Sequence, residues 1–446
     1  MLPMVGVPET IRRGMRPYRE LFGRAEGCEH IGRYVTGLSL SPNKTLQGIY
    51  DGQVWEGDKP SRRAMHEAVF EAGWDAEGLL PRHRAVIAPE HQGHGREVIS
   101  LDWTLVHHER GPQIYGTAKS YDYVEKRMGR FQTVVTAVIA NRQLIDGIDL
   151  QVQEPSVCAE EETYLQATVQ ESYTQMERAR ERVLELLYHL HHRLAYKKRT
   201  EIVVEVVAQL EEEGRFPQAD YAFDNGVLTL ELTRLIESKG KHWVSELESS
   251  RHILWRDQWR RIEEVAAELR QAHPKSFREL QVRCRNGERK TFWAFTKTVR
   301  LKRYGRKRVG MVHERGDLTD PPRFLVTDAL HWESGRIIDT WSFRWAAEVF
   351  HEFSKQGTGL EAAQVRNEEA VNRHLRLSCL AQSLLQRAPA VASTSEKFAF
   401  AQGEITFGQR CRAIGRAVFH SLLAVAKRLF SDGYSCDQVA EVLMPA

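Results

Sequence analysis

Between Asp339 and Gln356 the hydrophobic and polar residues separate onto two faces of a helix. Asp339 can cap its amino end and Gly357 can end it, so the pattern predicts one continuous helix of about four to five turns. The apolar face, which is suited to packing, carries Phe343, Ala346, Val349, Phe350 and Phe353. The opposite stripe carries Trp341, Arg344, Glu348, Glu352 and Lys355.

The polar stripe of this helix has two interpretations. A carboxylate flanked by two cations and an indole is expected where the acid holds a metal ion and the cations hold a polyanion. A solvated helix face with a charge pair such as Arg344 with Glu348 has the same pattern. The helix alone favours the solvated face, and the rest of the chain reverses that preference.

The two ends of the chain are predicted to be helical. Residues 1–92 are polar with short apolar groups, and two short helices that begin near Ser41 and Ser61 are compatible with a DNA-binding helix-turn-helix. Residues 411–446 predict a helical carboxy-terminal tail.

The middle of the chain has the pattern of a mixed α/β core. Residues 93–249 and 336–410 are assigned to this core, and residues 250–335 form a basic, β-rich insertion between its two parts. The elements predicted after an antiparallel meander are a helical stretch over 159–213 that breaks near 197–200, a strand that ends at Asp220, a helix over 228–239 and a strand over 241–247. A further helix is predicted around 258–271.

Carboxylates lie where predicted strands end. Asp102 ends the first core strand, Asp220 ends the fourth, and Glu348 lies on the helix described above. Three convergent carboxylates can hold two divalent cations, which prefer oxygen ligands and support in-line phosphoryl transfer. Asp224 competes with Asp220 for the second position, and Glu352 competes with Glu348 for the third.

Positive charge is concentrated in one part of the insertion. From Arg289 to His313 there is no acidic residue, and the density of cations suits a phosphate backbone. The candidate DNA contacts in this run are Arg300, Lys302, Arg303, Arg306, Lys307 and Arg308.

Composition narrows the class of protein. The 446 residues predict two or three domains, and their six scattered cysteines contain no CxxC pair, so neither a zinc site nor a disulfide framework is expected. No apolar run has membrane-spanning length, and the amino terminus lacks the pattern of a signal peptide. These features predict a cytoplasmic protein with reduced thiols and no membrane partner.

Three motifs together resemble bacterial insertion-sequence transposases of the DDE type, in the group with a Tyr-Arg-Glu-Lys signature. Trp341, Arg344, Glu348 and Lys355 have the spacing of that signature, with Trp in place of Tyr. The segments VISLDWT and QADYAFDN resemble the family's two aspartate segments, and the register of the second favours Asp220 over Asp224. The resemblance covers roughly residues 95–420 and is strongest over 335–380.

This resemblance implies a ribonuclease-H-like core and cut-and-paste DNA transposition. Two Mg²⁺ ions, for which Mn²⁺ can substitute, would be held by Asp102, Asp220 and Glu348. Arg344 and Lys355 would hold DNA phosphates beside Trp341. The implied partners are the terminal inverted repeats of a transposon, target DNA and a second copy of the chain. A non-catalytic DNA-binding relative and a cellular nuclease of the same fold are the alternatives.

Overall fold

The computed structural model describes residues 3–55, 59–108, 111, 113–156, 183, 186–188, 190, 196–389 and 406–444. The amino-terminal region is helical, as predicted, but it also contains a two-stranded parallel sheet of β1 (Met4–Val5) and β2 (Gln53–Val54). Ser61 caps its helix through a bond from the Ala64 backbone N–H, as its sequence predicts. The α-helices here are α1 (Glu9–Met15), α2 (Ala25–Leu40), α3 (Leu46–Asp51), α4 (Arg62–His66) and α5 (Leu79–Gln92).

A large mixed sheet forms the centre of the molecule, which confirms the mixed α/β class. Its first strands are β3 (Val98–His107), β4 (Ala118–Asp122), β5 (Arg127–Ala140), β6 (Ile145–Val152), β7 (Asp220–Phe223) and β8 (Trp243–Glu246). β5 lies antiparallel between β6 and β3, whereas β7 runs parallel to both β3 and β8. The order β6-β5-β3-β7-β8 therefore brings together strands that are more than 100 residues apart in sequence.

The insertion continues the same sheet. Its strands are β9 (His252–Trp255), β10 (Gln258–Arg261), β11 (Arg278–Arg283), β12 (Arg289–Leu301), β13 (Gly305–His313) and β14 (Arg323–Thr327). β14 pairs with both β13 and the core strand β8, so the basic region is joined to the core by backbone hydrogen bonds. The helix predicted around 258–271 begins later than expected, because β10 occupies its first residues and α8 spans Ile262–Ala272.

Helices cover both faces of the core strands. α6 (Arg199–Glu213), α7 (Leu230–Ser238) and α8 pack with Ile99, Leu101 and Tyr221 on one face. The other face carries the amino-terminal helices with α9 (Ser334–Ser342), α10 (Trp345–Thr358) and α11 (Glu368–Gln386), and the remaining helices are α12 (Phe407–Ser431) and α13 (Cys436–Leu443). α6 begins where the break was predicted; the helical prediction over 159–195 lies outside the described residues except at 183, 186–188 and 190. No helix among the described residues has the length and apolarity needed to cross a membrane.

The single helix predicted from Asp339 to Gln356 is wrong in its boundaries. Asp339 lies inside α9, and a tight turn at Phe343 and Arg344 separates α9 from α10. Gly357 is helical, and α10 ends instead at Gly359, whose φ of 70° favours glycine. The Arg344 carbonyl oxygen accepts a hydrogen bond from the Ser100 hydroxyl, which lies outside the helix. This tertiary contact competes with the backbone hydrogen bonds of one continuous helix at this turn.

Candidate functional site

Asp102 and Asp224 lie side by side on neighbouring strands. The first core strand was predicted to end at Asp102, but β3 continues to His107, where it still pairs with β5, whereas Asp224 directly follows the last residue of β7. Leu101 on β3 is the register partner of Phe223 on β7, and the strands are parallel. The next residues along the two strands are therefore Asp102 and Asp224, about 5 Å apart across the sheet. Asp224 therefore lies beyond the carboxyl end of β7, a position at which ligand sites of α/β proteins commonly form.

The structure does not place Asp220 beside Asp102. The strand predicted to end at Asp220 begins there, and Asp220 pairs with Val98, four residues before Asp102. That separation is about 13 Å along the sheet. Its carboxylate instead accepts a bond of 3.1 Å from Arg96 and lies 3.8 Å from Arg336.

Asp224, which was the competing candidate, therefore replaces Asp220 as the neighbour of Asp102. Its position has a sequence signal, since Tyr221, Ala222 and Phe223 form an apolar run that Asp224 ends. The Asn225-Gly226 pair that follows is typical of a turn. A strand that is buried on both faces shows such a continuous run, and its end is marked by the turn residues.

Glu348 reaches the same region because α10 crosses β3. At the amino end of the helix, the Ser100 hydroxyl donates to the Arg344 carbonyl oxygen at 3.0 Å. Ser100 and Asp102 lie on the same face of β3, because side chains two residues apart share a face. Glu348 is one helical turn beyond Arg344, which brings its carboxylate over this face.

Two further contacts fix the direction of α10 over the sheet. A hydrogen bond of 2.8 Å joins Nε2 of His351 to the hydroxyl of Thr136, the residue of β5 opposite Asp102. Burial lowers the pKa of His351 to about 3, with Lys355 and Arg344 adding to the effect, so this imidazole is neutral. Near the other end, Lys355 donates to the Leu105 carbonyl oxygen at 2.5 Å.

The environment of Asp102 raises the pKa of its carboxyl group to about 7. Burial is the largest cause, and the nearby Asp224 carboxylate is the next. The Trp103 backbone N–H, 2.8 Å from Oδ1, and the Arg344 guanidinium act in the opposite direction, whereas Glu348 adds to the increase. Such repulsion between carboxylates is relieved by a bound cation.

Arg344 supplies a cation between two of the three carboxylates. Its Nη2 donates to Oε1 of Glu348 at 2.6 Å, and its Nη1 lies 3.8 Å from Oδ2 of Asp102. The guanidinium group is largely buried, whereas the Glu348 side chain is 40% exposed and reaches solvent. The competing ligand Glu352 lies one turn further along α10, where its side chain is exposed.

The loop that carries Asp224 is held on three sides. Oδ1 of Asp224 accepts from the Val227 backbone N–H at 3.1 Å, and its carbonyl oxygen accepts from the Ser245 hydroxyl at 3.1 Å. A Cβ at Gly226 would lie 3.2 Å from the Trp103 ring, so glycine permits a close approach there. With Oδ1 engaged in the turn, Oδ2 remains available to a ligand.

The described residues contain one tight group of histidine and carboxylate ligand atoms, and it lies elsewhere. Atoms of His107, Asp122 and Glu125 all lie within 4.8 Å of one another. These ligand atoms already have protein partners, because His107 is hydrogen-bonded to Asp122 at 2.8 Å and Glu125 accepts from Arg127 at 2.5 Å. We interpret this group as the closure of a turn.

The tryptophan of the signature lines a cavity of about 370 Å³ that Arg344 also lines. Trp341 is half-buried on α9, and its indole N–H has no hydrogen-bond partner among the residues that the structure describes. The Arg323 guanidinium stacks 4.2 Å from its ring centre. Arg285 and Lys290 also line the cavity, so its wall is strongly cationic.

Lys355 is engaged within the protein. Besides the Leu105 carbonyl group, its Nζ contacts Oε1 of Glu361 at 3.3 Å, and the same oxygen lies 3.4 Å from Nδ1 of His107. Sequence patterns gave no indication of Glu361, because it lies in an irregular segment without a regular period.

The basic run forms the hairpin of β12 and β13, and its six cations separate into two groups. Arg300, Lys302, Arg303 and Arg306 are exposed around the tip. Lys307 is buried and pairs with Glu237 at 3.0 Å, whereas Arg308 donates to the Leu330 carbonyl oxygen and the Thr296 hydroxyl. The tip packs onto the start of α7, because the Tyr304 hydroxyl donates to the Leu228 carbonyl oxygen at 3.2 Å.

The site therefore combines three carboxylates with one arginine that two of them share, where α10 crosses β3. The same arginine lines a cationic cavity. Oxygen donors of this kind fit hard divalent cations, and the raised pKa of the Asp102 carboxyl fits a position where charge is to be compensated. Comparison with known proteins adds no identification: no protein-family model matches the chain, and no curated protein is significantly similar to it.

Proposed function

We propose that the chain is a metal-dependent DDE transposase that cleaves DNA at transposon ends and transfers the freed strand into target DNA. The observation that carries the proposal is that Asp224 is the neighbour of Asp102 across two parallel strands, while Arg344 links Asp102 to Glu348. The resemblance of the Trp341-to-Lys355 motif supports the same function, and Asp224 replaces Asp220 in its ligand set.

The finer fold assignment is also part of this proposal. Three antiparallel strands followed by two parallel ones, in the order β6-β5-β3-β7-β8, support a ribonuclease-H-like core. The Glu helix that crosses the first strand supports it too, as does the insertion between β8 and that helix. Transposases of the resembling group share this architecture.

Asp102, Asp224 and Glu348 are the residues that would hold Mg²⁺ or Mn²⁺. When bound, a pair of such ions activates the attacking hydroxyl and stabilises the leaving oxygen of a phosphodiester. Asp102 must lose its proton to act as a ligand, and Arg344 must release Glu348. The released guanidinium group is then suited to hold a DNA phosphate through two parallel hydrogen bonds.

Lys355 and the exposed cations of the β12–β13 tip are the remaining proposed phosphate contacts. Lys355 has to leave Glu361 before it can reach DNA. Lys307 and Arg308 are withdrawn from this role, because both side chains serve the fold. A second copy of the chain is the proposed partner in the complex that holds two DNA ends together.

The experiment compares Asp224→Asn with Asp220→Asn on a plasmid that carries the reading frame and its flanking DNA. With Mg²⁺, the wild-type chain and Asp220→Asn are expected to nick and excise the flanked segment, whereas Asp224→Asn and Glu348→Gln are expected to do neither. Thermal melting of each variant establishes that it is folded. Cleavage by Asp224→Asn at the wild-type rate would refute the site.

The same plasmid separates the two alternative functions. A non-catalytic DNA-binding protein retards the flanking DNA without cutting it at any metal concentration. A cellular nuclease cuts, but its products do not end at inverted repeats and are not joined to a target. Joined products flanked by short direct repeats are expected only of a transposase.

A further inference from the structure

The hairpin of β4 and β5 exposes large apolar side chains at its tip. Tyr123 and Val124 in the turn are 84% and 87% exposed, and Met128 and Tyr121 on the strands are 54% and 42% exposed. The two tyrosine rings meet edge to face with centres 5.0 Å apart. A patch of this kind on an exposed projection indicates a binding surface.

Cations lie directly below this apolar tip. Lys119 on β4 is the cross-strand partner of Arg130 on β5, so two like charges lie opposite each other. Such a pair destabilises a two-stranded ribbon unless an anion compensates it. Lys126 adds a third cation in the turn, and none of the three forms an ion pair with any residue that the structure describes.

The acidic residues of the hairpin do not neutralise these cations. Asp122 is buried, and its Oδ2 accepts from Nε2 of His107 at 2.8 Å. Its Oδ1 accepts from the backbone N–H groups of Val124 and Glu125, which closes the turn. The Glu125 carboxylate is bonded to Arg127.

The hairpin is anchored to the proposed active site. Thr136 of β5 lies opposite Asp102, and Phe131, nearer the amino end of β5, lies opposite His107. The residues of β5 before Phe131 form the hairpin with β4. The ribbon thus projects from the end of β3 that lies beyond Asp102. His107 joins the base of the turn to Glu361, the partner of Lys355 on α10.

From this geometry we infer that the β4–β5 hairpin is a DNA-binding element, an inference that rests on the proposed function. Lys119 and Arg130 hold phosphates on either side of a groove. Tyr121, Tyr123 and Val124 enter that groove and contact an unstacked base step. A two-stranded ribbon fits a DNA groove, and apolar side chains at its tip can open a step between bases.

The test measures DNA binding by gel retardation with Glu348→Gln as the parent chain, so that no cleavage intervenes. The duplexes tile the DNA on both sides of the reading frame. Tyr121→Ala with Tyr123→Ala is expected to weaken binding about tenfold, which is the usual effect of losing one aromatic contact to a base. Tyr434→Ala is the matched control, because Tyr434 is 44% exposed on the distant carboxy-terminal tail.

A second pair of variants tests the phosphate contacts. Lys119→Gln with Arg130→Gln is expected to reduce the slope of log affinity against log salt by about 2, because each lost phosphate contact removes about 0.9. Lys239→Gln, an exposed lysine after α7, is expected to leave the slope unchanged. Permanganate reactivity of thymines should increase at one step with the parent chain and not with the tyrosine variant.

The outcomes separate the hairpin from the wider proposal. If the parent chain binds DNA and the hairpin variants bind with unchanged affinity and slope, the hairpin inference is wrong and the transposase proposal stands. If the parent chain binds none of the duplexes, both are wrong. Weaker binding by the tyrosine variant and by its Tyr434→Ala control alike would also overturn the hairpin inference.

Discussion

Arg344 donates to Glu348 at 2.6 Å and lies 3.8 Å from Asp102, so one guanidinium group is shared by two acids that are 246 positions apart in the chain. Without a metal ion it is the nearest compensation for their charge. Its effect on Asp102 is incomplete, because burial and Asp224 still raise the pKa of that carboxyl to about 7. The site is therefore electrostatically strained in the metal-free protein.

The first prediction concerns stability and pH. The folded pKa of Asp102 lies above its ordinary value of 3.8, so the folded state retains a proton between that value and about 7. The free energy of unfolding therefore falls as the pH rises through this window. One pKa unit corresponds to about 1.4 kcal/mol, so Asp102→Asn is expected to stabilise the metal-free protein by up to about 4 kcal/mol at pH 8.

Below about pH 3 the same variant should have the stability of the wild-type chain, because Asp102 is then protonated in both states. Urea titrations at the two pH values measure the difference. Asp220→Asn serves as the control, and it is expected to lose stability at pH 8, since Arg96 loses one of its two carboxylate partners and keeps only Asp339. Equal effects of Asp102→Asn at both pH values would contradict the raised pKa.

The second prediction concerns Arg344. Arg344→Gln removes the cation that competes for Glu348, so we expect Mn²⁺ to bind the metal-free protein more tightly at pH 8. DNA cleavage should nevertheless fall, because a phosphate contact is lost. Calorimetry measures the Mn²⁺ affinity, and Arg336→Gln, whose side chain lies beside Asp220, is the control. Weaker Mn²⁺ binding by Arg344→Gln would contradict this account of the site.

Much of the site could be predicted from the sequence. The error in the predicted end of one strand has a simple physical origin. Glu348 was identified from a helix stripe, and Asp102 from a predicted strand end that the structure places at His107 instead. The structure brings the two acids together through Arg344. Asp220 was preferred to Asp224 from the register of the transposase motif, and the strand was expected to end there. β7 has only four residues, so an error of four residues in its end moves the chosen carboxylate from one end of the strand to the other.

The fold, too, could be predicted where the signal is local in sequence, but not where it depends on residues far apart in the chain. Local patterns such as the strand over 241–247 and the helix start at Ser61 were predicted correctly. The turn at Phe343 and Arg344 was not, because the Ser100 hydroxyl that bonds there is 244 residues away. The pairing of β14 with β8, which joins the insertion to the core, likewise has no local signal.

The third prediction tests the packing of α10 on the sheet. A Cβ at Gly147 on β6 would lie 2.5 Å from the Phe350 ring and 2.8 Å from the Cys379 sulfur atom. Gly147→Ala must therefore displace α10, and it is expected to destabilise the protein by about 1–3 kcal/mol. Gly129→Ala is a suitable control, because its new Cβ would meet Phe131 at an ordinary 3.7 Å. Denaturant titrations compare the two, and equal stabilities would contradict this packing.

The last prediction separates the two groups of cations in the β12–β13 hairpin. Arg300 and Arg306 are exposed cross-strand partners at the tip, so Arg300→Gln with Arg306→Gln should reduce the salt slope of DNA binding by about 2. The melting temperature of this double variant should not fall, because removing two opposed like charges relieves their repulsion.

Lys307→Gln should behave in the opposite way. Lys307 is buried against Glu237, so its loss leaves a partly buried carboxylate without its partner and lowers the melting temperature. The salt slope should remain that of the wild-type chain, since Lys307 does not face solvent. A reduced slope for Lys307→Gln, or an unchanged slope for the exposed pair, would show that the DNA path does not follow this tip.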